Sequence, residues 1–162
     1  MSSVVPDFET LAESKQFLRE NWEKGTTCPC CKQVVKQYKR KMHSAMGVML
    51  IQFYKLSNET GDWVHVSDLY RKGNKVTTSA DYAYLRYWKL LEKKPEDEDQ
   101  DKKSNGYWRI TQRGKEFAMG SRKELSHILL YNGGFYGLSG ELVDIEDVLG
   151  DKFSYKELMG IK

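Results

Sequence analysis

The sequence predicts an α+β fold that is mainly helical. In several segments apolar residues recur every three or four positions, which is typical of helices with one buried face. Two shorter segments, WVHV and GYWRIT, are rich in β-branched and aromatic residues and predict strands. The 162 residues include six Phe, ten Tyr and four Trp, which supply large side chains for a core.

The first half of the chain predicts two helices separated by a cysteine-rich turn. The first helix is expected to begin near Asp7 and to end at Gly25, because glycine favours the conformation that follows a helix. A second, long helix is expected from about Gln33 to Leu56. Its predicted apolar stripe, spaced three or four residues apart over six turns, consists of Val35, Tyr38, Met42, Met46, Met49, Phe53 and Leu56.

The middle of the chain predicts short strands alternating with helices. WVHV is expected to be a strand and SDLYRKG a short helix, and Thr78 or Ser79 then caps a helix that continues to Lys93. A strand beginning near Leu90 leads into the polar segment KPEDEDQDKKSN, and GYWRIT returns as its partner strand. QRGKEFAMG follows as a short helix.

The C-terminal segment predicts a hairpin and two short helices. In HILLY-NGG-FYGL, adjacent glycines tolerate the positive backbone angles of a tight turn between two strands. VDIEDVLG and SYKELMG then predict helices. None of these segments carries a recognisable catalytic motif.

The succession helix, strand, helix, helix, strand, wing and strand over residues 42–117 resembles the winged helix-turn-helix fold. DYAYLRYWKLLEKK is similar to a recognition helix, and GYWRITQRGKEF is similar to the second wing strand with the helix after it. Together with the CPxC turn, these segments resemble small uncharacterised winged-helix proteins of bacteriophages and mobile elements. The resemblance implies a winged-helix domain at 42–120, preceded by an extension at 1–41 with the first helix, the cysteine turn and the basic start of the long helix. Residues 121–162 would form a C-terminal tail packed on the core.

The same resemblance implies a non-enzymatic DNA-binding protein, acting as a transcriptional regulator or a phage accessory factor. Asp81 to Lys93 would then lie across the major groove of double-stranded DNA, where Arg86 can bind two acceptors on guanine. The basic cluster after the cysteine turn would contact the flanking phosphate backbone. The protein would bind as a homodimer to a two-fold symmetric DNA site. The candidate DNA-binding residues are Lys36, Lys39, Arg40, Thr78, Ser79, Tyr82, Arg86, Lys89, Lys102 and Lys103.

The predicted wing is acidic, whereas a wing that contacts the phosphate backbone would be rich in Lys and Arg. Residues 96–101 contain five acids, which phosphate would repel, and only Lys102 and Lys103 follow them. The acidic segment is expected to be either a solvated loop or a contact for a basic protein surface. The alternative function is therefore a protein-binding adaptor or inhibitor of a host factor, which would use residues 96–101 or the C-terminal hairpin.

The cysteine turn predicts a partial metal site. Cys28 and Cys31 have the spacing at which two thiolates bind one tetrahedral zinc ion, and His43 follows twelve residues later. A closed zinc site needs four ligands, so the set is incomplete within one chain. Three interpretations stay open: completion by His43 and another histidine, a four-thiolate site shared by two chains, or free thiols without metal.

Other classes of protein are not favoured by the sequence. It contains no glycine-rich phosphate-binding loop and no catalytic triad pattern, and GLSGE near Gly137 lacks the context of a nucleophile elbow. No apolar run approaches the roughly 18 residues of a membrane span, and no signal peptide is recognisable. We therefore expect a cytoplasmic protein without membrane partners, in a bacterium or a phage-infected cell.

Overall fold

The structure, a computed structural model, describes residues 5–60, 63–71, 80–95, 106–132 and 134–160. Six α-helices lie in this part of the chain: α1 (Leu11–Asn21), α2 (Ser44–Thr60), α3 (Val66–Arg71), α4 (Gln112–Ala118), α5 (Ile145–Leu149) and α6 (Tyr155–Met159). A 3-10 helix spans Ala80–Trp88. The strands are β1 (Thr26–Thr27), β2 (Val34–Val35), β3 (Tyr38–Lys41), β4 (Val64–His65), β5 (Leu91–Lys93), β6 (Tyr107–Ile110), β7 (Glu124–Tyr131) and β8 (Gly134–Val143).

The strands form three small antiparallel sheets, so the predicted α+β class is confirmed. Their strand orders are β1-β2, β4-β6-β5 and β3-β7-β8. The expectation of a mainly helical fold is wrong, because helices make up only 42% of the structure. Among the described residues, no helix is long and apolar enough to cross a membrane.

The described residues divide into two compact units. The first consists of the chain up to Arg40 together with Leu129–Gly137, and the second consists of Lys41–Ile128 and Leu138–Lys162. The first unit contains α1 and the β1-β2 hairpin. The second contains α2 and the β4-β6-β5 sheet.

Helix α1 begins four residues later than predicted, at a capping box. The Thr10 hydroxyl accepts a hydrogen bond from the amide of Glu13 at 3.2 Å, and the Glu13 carboxylate accepts one from the amide of Thr10 at 3.4 Å. These two bonds satisfy donors that a helix start leaves without an intrahelical partner. The helix therefore starts at Leu11 and not near Asp7.

The predicted long helix from Gln33 is wrong in nearly its first half, because α2 begins only at Ser44. Val34 and Val35 instead pair with Thr27 and Thr26 across the cysteine turn, and residues 38–41 form strand β3. β-branched residues favour a strand once a turn brings a partner strand alongside. The three-to-four-residue spacing of Val35 and Tyr38 was therefore coincidental, and Lys36, Lys39 and Arg40 do not lie on a helix.

Helix α2 provides the apolar centre of the second unit. The predicted stripe holds from Met42 onward, and Met46, Met49 and Phe53 are fully buried. Helix α5 packs closely on α2 at Gly47, where an added Cβ would lie 3.0 Å from a methyl carbon of Val148. α2 also packs against α4, β4, β6 and the 3-10 helix, so this helix joins the elements of the unit.

The predicted helix from Asp81 to Lys93 is also shorter than expected. It is a 3-10 helix that ends at Trp88, because Lys89 takes a left-handed conformation with φ of 61° and the chain turns into β5. The Trp88 indole nitrogen donates a hydrogen bond to the carbonyl of Leu125 at 2.6 Å. This buried anchor fixes the end of the helix.

The C-terminal elements agree with the sequence. Strands β7 and β8 flank the predicted NGG turn, and α5 and α6 occupy the two predicted helical segments. At the start of β7 the buried carboxylate of Glu124 accepts hydrogen bonds from Arg113 and Arg122.

Candidate nucleic-acid interface

The cysteine turn closes the β1-β2 hairpin and folds around the sulfur of Cys28. The Cys28 sulfur accepts hydrogen bonds from the backbone amides of Cys30 at 3.4 Å and Cys31 at 3.5 Å. Lys32 completes the turn in a left-handed conformation, with φ of 64°. Cys28 is buried, whereas Cys30 and Cys31 are exposed, and all three thiols are free.

The same amides lower the pKa of the Cys28 thiol. The backbone N–H of Cys31 contributes most, followed by that of Cys30, because both dipoles stabilise the thiolate. A lowered thiol pKa is a property that metal-binding and reactive cysteines share.

The described residues do not complete a metal site at this turn. They contain no group of three or more His, Cys, Asp or Glu side chains arranged to hold a metal ion. His43, the third candidate ligand, belongs to the second unit and its Nε2 lies 2.8 Å from a carboxylate oxygen of Asp81. Zinc at Cys28 and Cys31 stays a prediction that needs ligands from elsewhere.

Strand β3 carries the most concentrated positive charge among the described residues. All four of its side chains, Tyr38, Lys39, Arg40 and Lys41, are exposed. Lys36 precedes the strand, and its aliphatic carbons lie beside Gly25, within 3.6 Å of the position of an added Cβ. The predicted basic cluster thus exists as an exposed extended segment.

The candidate residues on and just after the 3-10 helix differ in whether they are packed or exposed. The Tyr82 ring packs against the rings of Phe53 and Trp108, with centroids 5.9 and 5.5 Å away, so it does not stand on the outer face predicted for it. Asp81 pairs with His43. Arg86 and Lys89 are exposed.

Arg86 is held by its neighbour. Its guanidinium donates a hydrogen bond to the Tyr87 hydroxyl at 2.9 Å and lies 4.9 Å from the centre of that ring. The remaining face of a guanidinium held in this way can still meet an acceptor. The end of the 3-10 helix therefore presents two neighbouring cations.

Three other arginines of the second unit form ion pairs within the protein. Arg109 lies 2.6 Å from the carboxylate of Glu92 on the adjacent strand and stacks 4.2 Å from the ring of Trp63. Arg113 and Arg122 bond Glu124. Arg86 and Lys89 remain exposed cations of this unit.

Four of the candidate DNA-binding residues, Thr78, Ser79, Lys102 and Lys103, lie outside the described residues, as do residues 96–101. The others fall into two groups. Lys36, Lys39 and Arg40 belong to the first unit, and Tyr82, Arg86 and Lys89 belong to the second.

Sequence reasoning missed a group of aromatic residues in the first unit. Trp22, Tyr131 and Tyr136 surround a cavity, although more than a hundred residues separate Trp22 from the two tyrosines. The one available signal was the presence of two tyrosines on either side of the NGG turn.

Comparison with known proteins found no matching family model, no matching characterised protein and no matching solved structure. The geometry of the chain itself therefore carries any functional proposal.

Proposed function

We propose that the chain is a non-enzymatic DNA-binding protein whose second unit is a winged helix, acting as a transcriptional regulator or a phage accessory factor. The observation that carries the proposal is the succession α2, β4, α3, 3-10 helix, β5 and β6 with the strand order β4-β6-β5. Strand β6 pairs with both neighbours, Val64 opposite Trp108 and Leu91 opposite Ile110. In a winged helix, the segment between β5 and β6 would correspond to the wing; residues 96–105 of this segment lie outside the described residues.

In this proposal the end of the 3-10 helix makes the specific contacts. Its first turn is engaged within the protein, through Asp81 with His43 and through the packed ring of Tyr82. Arg86 and Lys89 remain exposed at the other end. Arginine and lysine are the side chains that most often bind guanine in the major groove, and both also bind phosphate.

Strand β3 would add affinity without sequence preference. Lys39, Arg40 and Lys41 are consecutive exposed cations, and the segment from residue 25 to residue 57 contains no acidic residue. Neutralising phosphates releases counterions, which makes such binding strongly dependent on salt.

A mobility-shift assay with a pool of random duplexes at low salt tests the proposal. We expect the chain to shift duplex DNA, and the double variant Arg86→Gln, Lys89→Gln to lose both affinity and sequence preference. Lys152→Gln is the control for the loss of one charge, to be compared with Arg86→Gln alone, because it removes one exposed cation from the turn between α5 and α6.

The salt dependence separates the two groups of cations. Lys39→Gln should weaken binding to all duplexes alike and reduce the slope of log affinity against log salt by about 0.9. Arg86→Gln should instead change the ranking of sequences. No shift of any duplex at low salt would contradict the proposal.

A further inference from the structure

The first unit contains a cavity of about 210 Å³ that is lined mainly by apolar and aromatic side chains. A typical site for a drug-sized ligand occupies about 300–1,000 Å³, so this cavity has room for a single ring system. The lining residues are Leu18, Arg19, Trp22, Val35, Tyr131 and Tyr136.

Three aromatic rings form the walls of this cavity. The Trp22 ring lies 5.9 Å from that of Tyr131 and 5.2 Å from that of Tyr136, with interplanar angles of 59° and 57°. The two tyrosine rings lie 6.4 Å apart at 57°. At these distances and angles the three tilted rings contact one another edge to face, and no pair is stacked in parallel.

The residues that line the cavity differ in their exposure to solvent. Tyr136 is 52% exposed, whereas Val35 is buried. The exposed aromatic wall is not needed to fill the core, which distinguishes it from the buried rings of the second unit.

The charge at the cavity selects the ligand class. Aromatic walls can bind either a cationic group or the flat face of a nucleobase. Among the described residues of the lining, Arg19 alone carries a charge, and its guanidinium repels a cationic ligand but can donate hydrogen bonds to base or phosphate oxygens. Glu20 and Glu23, the nearest acids on and after α1, do not line the cavity.

The residues that follow in the chain favour a phosphate-linked ligand. Val35 in the cavity wall is followed by exposed Lys36 and then by exposed Lys39 and Arg40, all in the same unit. A base seated in an aromatic pocket with its backbone on a basic strand is the general arrangement of proteins that bind single strands.

We propose that this cavity binds one unpaired base of a single-stranded nucleic acid, stacked on the exposed ring of Tyr136, edge-on to Trp22 and Tyr131, with Arg19 at its polar edge. The aromatic cavity belongs to the first unit and the sequence-specific duplex contacts belong to the second, whereas Lys39 and Arg40 would contact the phosphates of either ligand. The chain would then bind both a duplex and an unpaired strand.

Fluorescence anisotropy with a labelled random 12-nucleotide DNA single strand tests the proposal. Tyr136→Ala removes one aromatic wall at an exposed position and should weaken binding about tenfold, within the range for loss of stacking on one base. Tyr136→Phe keeps the ring and should bind like the original chain. Phe135→Ala is the matched control, because Phe135 is a similarly exposed aromatic residue next to Tyr136 that does not line the cavity.

Two results would overturn the proposal: Tyr136→Ala without effect, or Tyr136→Ala and Phe135→Ala weakening binding equally. Competition by tetramethylammonium at millimolar concentration would also overturn it, in favour of a cationic ligand. Tyr136→Ala should leave duplex affinity unchanged. If the original chain binds no duplex but Tyr136→Ala still weakens single-strand binding, only the function proposed for the second unit is rejected.

Discussion

Replacing Glu124 with glutamine should cost the second unit a measurable part of its stability. The Glu124 carboxylate is 3% exposed and accepts two hydrogen bonds from Arg113, at 2.6 and 2.7 Å, and one from Arg122 at 2.8 Å. Removing one partner of a fully buried ion pair costs about 3–5 kcal/mol. Both arginines keep more than a third of their surface in water, which screens them, and glutamine retains one acceptor oxygen. We therefore expect a loss of about 2 kcal/mol.

The dependence on pH gives this prediction a second readout. Burial raises the pKa of Glu124, but the hydrogen bonds from Arg113 and Arg122 outweigh burial and hold the pKa below the ordinary value of 4.5. A carboxyl whose pKa is lowered by folding stabilises the protein above its unfolded pKa, and this contribution is lost as pH falls through the folded pKa. Glu124→Gln should therefore lose less stability on acidification than the original chain.

Urea unfolding followed by tryptophan fluorescence, at neutral and acidic pH, measures both effects. Glu116→Gln is the control, because Glu116 is half-exposed and makes only a 3.4 Å contact with Arg122. We expect it to cost less than about 1 kcal/mol. Equal losses in the two variants, or an unchanged pH dependence in Glu124→Gln, would refute the reasoning.

The remaining predictions concern close packing and the cysteine turn. Gly114→Ala should prevent folding or lower the free energy of unfolding in urea by well over about 3 kcal/mol, because its Cβ would overlap the carbonyl oxygen of Leu90. Gly47→Ala should lower it by about 1–3 kcal/mol, because the nearest atoms to its Cβ belong to side chains that can move. Equal effects of the two changes would contradict this difference. Zinc bound by Cys28 and Cys31 should appear in metal analysis and native mass measurement as one zinc per two chains, since the described part of one chain holds no complete ligand set. One zinc bound to a monomer, or no zinc in the monomer or the dimer, would contradict the shared site.

The parts of the fold that the sequence predicted best are those with a sustained local pattern. The apolar stripe from Met46 to Leu56 lies on helix α2, and the short strands at Val64 and Tyr107 are present, as are the last two helices. In each case the residue spacing, the turn residues and the burial agree with one another. Local agreement of this kind is readable without a structure.

The errors arose where a distant partner decided the conformation. Val34 and Val35 are in a strand because Thr26 and Thr27 lie beside them, and helical spacing alone does not reveal this pairing. The helix after Asp81 stops at Trp88, whose indole is anchored on Leu125 far along the chain. Such contacts are set by tertiary packing, which overrides local preference.

The candidate site was predictable in its charges but not in its geometry. The exposed cations Arg86 and Lys89 were identified from the sequence, whereas the inward packing of Tyr82 and the pairing of Asp81 with His43 were not. The outward position of Tyr82 was predicted with the 3.6-residue period of an α-helix. The observed 3-10 helix repeats every three residues, so its side chains fall on different faces from those predicted. The aromatic cavity joins residues too distant in the chain for any motif.

Binding of duplex DNA by the second unit is the claim to be tested most directly. A titration of the purified chain with a random duplex pool, followed by sequencing of the bound fraction, measures affinity and sequence preference together. We expect a bound fraction enriched in particular sequences for the original chain and for Lys152→Gln, and loss of that enrichment for Arg86→Gln, Lys89→Gln. Absence of duplex binding at low salt, or the same enrichment in the double variant, would contradict the account.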